Sequence, residues 1–83
     1  MTDAHYAVLA ALHLADYEGG GFASFAYLCK TTGFPRNVVR RICRHLARKG
    51  LALYERGLWN DEGLPAGAGY GITVEGCRAL RAP

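Results

Sequence analysis

Between Gly19 and Tyr54 the chain has no aspartate and no glutamate, although its 83 residues include seven acids. Asp3, Asp16 and Glu18 precede that stretch; Glu55, Asp61, Glu62 and Glu75 follow it. The middle of the chain therefore offers no paired carboxylates for acid–base chemistry, and no nucleophile–base pair is recognisable elsewhere. Long apolar runs are also missing: none approaches the roughly 20 residues that cross a bilayer. Met1-Thr2-Asp3-Ala4-His5 lacks the basic start of a secretory signal. A soluble cytoplasmic protein with no membrane partner is the expectation. Cysteine is scarce and widely spaced, at Cys29, Cys43 and Cys77, with no C-x-x-C. A structural zinc site ordinarily shows a close Cys or His pair, and His5, His13 and His45 form no ligand pattern either. Buried, reduced thiols are expected in place of metal or redox use, because Cys29 and Cys43 fall on apolar helix faces. Gly19-Gly20-Gly21 is followed by Phe22 and Ala23, so it is not a phosphate-binding loop with its Lys-Ser/Thr pair. No cofactor, no metal and no enzyme activity is expected.

What is present reads as a globular domain. Hydrophobic residues make up 51% and charged residues 20%, a balance that disordered chains do not reach. A chain of this length forms one domain, 1–83, and buries about 60% of its unfolded surface. The acid-free stretch carries Lys30, Arg36, Arg40, Arg41, Arg44, Arg48 and Lys49. Solvated helix faces usually mix charge signs; a block of one sign on one unit is the footprint of a polyanionic partner.

The order of elements follows from periodicity. Thr2 or Asp3 can cap a first helix reaching about Tyr17. Val8, Leu12 and Ala15 form one stripe, yet Leu9, Leu14 and several further alanines leave this helix apolar nearly all round. Such a helix sits deep in a core or meets another subunit. Phe22-Ala23 predicts a short strand, and Ser24 is an N-cap for a second helix in which Phe25, Leu28, Cys29 and Thr32 share one face. Gly33 ends it. Pro35 suits the first turn of a third helix, where Val39, Ile42, Cys43 and Leu46 repeat the pattern and Asn37, Arg40, Arg41, Arg44, His45 and Arg48 take the opposite arc. Gly50 closes that helix. Leu51 to Arg56 and Tyr70 to Thr73 predict two strands of a hairpin; Gly57 to Gly69 reads as its loop. Thr73 can cap a last helix, from Val74 to about Ala82, that packs Cys77 and Leu80 and carries Arg78 and Arg81 outward. The fold class is α+β, mainly α, in the order α-(short β)-α-α-β-β-α.

Two short helices joined by a tight turn, the second basic outside, make a helix-turn-helix at about 24–49, and the hairpin at about 51–73 makes its wing. Thr32-Gly33-Phe34-Pro35, followed by Val39, Ile42-Cys43, Leu46 and Lys49-Gly50-Leu51, resembles the run found in bacterial winged-helix regulators. Tyr70-Gly71-Ile72-Thr73-Val74-Glu75-Gly76 resembles the segment that closes their wing. The resemblance, to the MarR-like and IclR-like DNA-binding domains, covers roughly residues 5 to 81. It implies a winged helix-turn-helix in a small bacterial or phage transcriptional regulator, with helix 35–49 in the major groove of double-stranded DNA. By it, Asn37 and Arg41 read base edges, and Arg36, Arg40 and Arg44 mix base and phosphate contacts. Lys30 and Thr31 hold phosphate from the preceding helix; Arg56 and Asn60 reach the backbone from the wing. A homodimer through the first helix is a further expectation. The wing tip, however, carries Asp61-Glu62 with one flanking base, which disfavours a phosphate grip. That leaves a second expectation open: a winged-helix module for protein partners, with Trp59 either packed at the base of the wing or exposed as an anchor.

Overall fold

The computed structural model describes residues 1–17, 21–59 and 65–81. Four helices and a small sheet follow one another as α1 (Asp3–Tyr17), β1 (Ala23–Ser24), α2 (Phe25–Thr32), α3 (Arg36–Arg48), β2 (Ala52–Trp59), β3 (Pro65–Ile72) and α4 (Val74–Arg81). This is the expected order. The sheet is antiparallel with β3 in the middle, between β1 and β2.

Each helix start has a local cause. Thr2 opens α1: its carbonyl accepts from the Tyr6 amide at 3.1 Å, and its hydroxyl from the His5 amide at 3.4 Å. The Ser24 hydroxyl accepts from the Tyr27 amide at 3.1 Å, as an N-cap should. Gly33 then turns the chain through φ 78°, a left-handed conformation that favours glycine, and its amide reaches back to the Cys29 carbonyl. Pro35 sits one residue earlier than expected, just outside α3. Its ψ of 157° is extended, and its carbonyl accepts from the Val38 and Val39 amides at 3.1 Å each. Thr73 ties three elements together. Its hydroxyl donates to the Gly50 carbonyl at 2.6 Å and accepts from the Gly76 amide at 3.0 Å, while its own amide donates to the Leu51 carbonyl.

The core gathers Val8, Leu9, Leu12 and Ala15 of α1, Leu28 of α2, the Val39, Ile42, Cys43 and Leu46 face of α3, and Ala23, Ala52 and Tyr70 from the sheet. Cys43 is fully buried, and burial, with a smaller push from Cys29, raises its thiol to about 12. Cys29 and Cys77 correct the expectation of buried thiols, since both are only half-buried. They lie at the margins of their helices' apolar arcs, where Cys77 Sγ comes within 3.9 Å of His13 Nδ1.

The hairpin is the larger correction. The stretch 57–69, expected as loop, is mostly strand: β2 runs on to Trp59 and β3 starts at Pro65. Glycine and proline composition argues for turns, but backbone pairing across a ribbon does not need side chains. Pro65, at the first position of its strand, is where a missing N–H is tolerated. The ladder is irregular between Glu55 and Leu58 and again before Trp59, the signature of a bulge. Among the described residues no helix is long and apolar enough to cross a membrane.

Candidate nucleic-acid interface

The sequence of α3 sorts its own side chains. Every exposed residue of the helix is arginine or asparagine, and every buried one is apolar. Asn37, Arg40, Arg41, Arg44 and Arg48 together line an open groove of about 420 Å³. Among the described residues no carboxylate lines it. Arg48 belongs to this groove although it was absent from the expected contact set; its place on the polar arc was the signal.

Arg36 stands apart from that groove. Its guanidinium lies 5.3 Å from the centre of the Phe25 ring, a cation–π geometry that holds it against α2. Lys30 and Thr31 are exposed in the last turn of α2 and do not line the groove. Arg56 is exposed on β2, away from the same groove. Asn60, the acidic pair Asp61-Glu62 and the side chain of Trp59 lie outside the described residues.

A second cavity, about 260 Å³, opens between α3 and the root of the hairpin and is lined by Phe25, Arg40, Arg44, Tyr54 and Tyr70. Tyr54 and Tyr70 face one another across the β2–β3 ladder, with ring centres 5.1 Å apart. Phe25 meets Tyr70 edge-on at 5.9 Å. Tyr70 is buried, and burial pushes its phenol above the usual range, while the Arg44 and Arg40 guanidiniums pull it the other way. This aromatic cluster had no signature in the sequence, because its members are brought together only by strand register and by the packing of α2.

Elsewhere on α3, His45 stacks on His5 of α1 with ring centres 4.4 Å apart. His5 Nδ1 accepts from the Thr2 amide at 3.0 Å and contacts the Thr2 hydroxyl at 2.9 Å. Burial, then His45, the amino terminus and Lys49, lower its pKa from the ordinary 6.5. The same stack therefore ties the N-terminal turn of α1 to the arginine-bearing helix.

No protein-family model and no curated protein sequence matches the chain. Solved structures do. BpsR of Bordetella bronchiseptica, whose DNA binding is regulated by 6-hydroxynicotinic acid, superposes with a TM-score of 0.76 at 21% identity, over 98% of this chain and 55% of its own. A MarR-family transcription regulator gives 0.73 at 22% identity, over 98% and 48%. The PcaV transcriptional regulator of Streptomyces coelicolor gives 0.70 at 23% identity, over 98% and 51%. The chain thus spans about half the length of the regulators it matches. Such likeness, below 25% identity, speaks to architecture alone. The chain has the winged helix-turn-helix fold of MarR-like transcription regulators.

Proposed function

We propose that residues 1–83 form one DNA-binding domain of a small transcriptional regulator, with 24–49 as its helix-turn-helix and 51–73 as its wing. The observation that carries this reading is the groove of Asn37, Arg40, Arg41, Arg44 and Arg48, lined by no carboxylate among the described residues, on a helix whose exposed positions are all polar. A helix about 10–12 Å across fits a major groove about 12 Å wide. Guanidinium forks match guanine O6 and N7 as well as phosphate oxygens. Asn37 and Arg41 are assigned to base edges. Arg36, Arg40 and Arg44 take base and phosphate contacts, Lys30 and Thr31 hold flanking phosphates, and Arg56 and Asn60 approach from the wing. The role is binding without catalysis, in the cytoplasm of a bacterial or phage-infected cell. Self-association through α1 accompanies it, since Tyr6 and Leu14 leave apolar surface 42% and 41% exposed on that helix. A protein-binding role through Trp59 and the acidic tip rests on side chains outside the described residues.

The test is fluorescence anisotropy with random duplex DNA across a salt series, comparing the parent with an Arg40/Arg41/Arg44 triple alanine variant. Parent affinity should fall steeply with salt, because each neutralised phosphate releases counterion. The triple variant should bind at least about a hundredfold more weakly, with a salt slope shallower by about two to three, and should melt like the parent. Absence of parent binding at low salt would overturn the reading.

A further inference from the structure

The root of the hairpin is basic and aromatic. There, Arg40 and Arg44 serve two cavities at once: the groove along α3 and the aromatic notch beside it. One wall of the notch is Tyr70, buried and held edge-on by Phe25. The other is Tyr54, 44% exposed and stacked obliquely on Tyr70. The neighbouring acid, Glu55, is absent from the lining, as the alternation of side chains along a strand requires.

From this arrangement we infer that the notch is a phosphate seat for the DNA backbone strand flanking the major groove, with Tyr54 as a binding residue not marked by any sequence motif. The inference rests on the DNA reading and deepens it. The Arg40 and Arg44 guanidiniums supply charge on one side of a single phosphodiester, and the Tyr54 hydroxyl donates a hydrogen bond from the other. The two arginines then anchor the register of the helix, while Asn37 and Arg41, farther round α3, remain available to bases.

Tyr54→Phe isolates the hydroxyl, because the ring still packs on Tyr70 and the fold is untouched. Against the same duplex and salt series, the variant should bind about 10- to 100-fold more weakly, as expected for a lost hydrogen bond to a charged group. Its salt slope should equal the parent's, since a neutral donor releases no counterion, whereas Arg44→Ala should flatten that slope by about one. Its melting temperature should be unchanged. Parent-like binding by Tyr54→Phe, with the parent binding well, would overturn the phosphate seat and leave the DNA reading standing. So would a marked preference for single-stranded over duplex DNA that Tyr54→Ala abolishes and Tyr54→Phe keeps, which would mean that the notch stacks a base. Failure of the parent to bind duplex at all would remove both.

Discussion

On α1, Val8, Leu9 and Leu12 are fully buried while Tyr6, Ala10 and Leu14 face water; on α3, Val39, Cys43 and Leu46 are fully buried while only arginine and asparagine face water. The two helices contribute comparably to one core. Their outward faces differ in composition: the outer arc of α3 is arginine and asparagine, that of α1 is partly apolar. A strongly amphipathic helix reports both the side that packs and the side that faces water. A helix that is apolar all round reports only that some of it packs, and leaves the choice of side to its neighbours.

The largest effects should be equal on the two inner faces. Leu12→Ala and Leu46→Ala each remove a fully buried side chain, and each should cost about 2–5 kcal/mol in urea unfolding. A loss below about 1 kcal/mol on either would break the claim that both helices share the core.

Gly76→Ala is a sharper test because two principles give opposite signs. Alanine is the better helix former by about 1 kcal/mol, yet a Cβ on this buried residue of α4 would collide with the Leu51 carbonyl and the Ile72 side chain. Overpacking of this kind costs about 1–3 kcal/mol, so thermal melting should show net destabilisation. A more stable variant would mean that α4 yields where it meets the start of β2.

The cap comes next: Ser24→Ala should lose about 1 kcal/mol, with no change in the groove. Smaller still is a pH effect confined to the contact between α1 and α3. His5 has a folded pKa below its ordinary 6.5. The unfolded chain therefore binds its proton first as pH falls, so stability is full above about 6.5 and declines from there down through the lowered folded value. Denaturant midpoints at pH 7.5 and pH 5.5 should show the decline. His5→Phe, which keeps a ring to stack on His45, should flatten it.

The smallest stability changes belong to the outer faces and carry the comparison itself. Tyr6→Ser with Leu14→Ser on α1, and Arg40→Ala on α3, should each stay within about 0.5 kcal/mol for the isolated fold. Arg40→Ala should nevertheless weaken DNA binding. The α1 pair should leave the affinity of a single domain alone and lower self-association in sedimentation velocity.

Legibility followed the same division. The order of elements, the Ser24 cap, the Gly33 turn and the two faces of α3 could all be read from residue types a few positions apart. The length of the wing could not, because its glycines and Pro65 signal turns while its ladder is made by backbone groups. Nor could Tyr54 against Tyr70, His5 against His45, or the need for Gly76. Each joins residues distant in the chain, and no periodicity encodes the meeting.

By itself the sequence determined the helical periods, the caps and the one-signed charge of α3, since these depend on interactions within a turn or two of the chain. Tertiary structure alone decided which side of α1 is covered, how far β2 and β3 pair, and that Arg40 and Arg44 share a notch with Phe25, Tyr54 and Tyr70. Those outcomes depend on strand register and helix docking, where many weak contacts between distant segments are satisfied together.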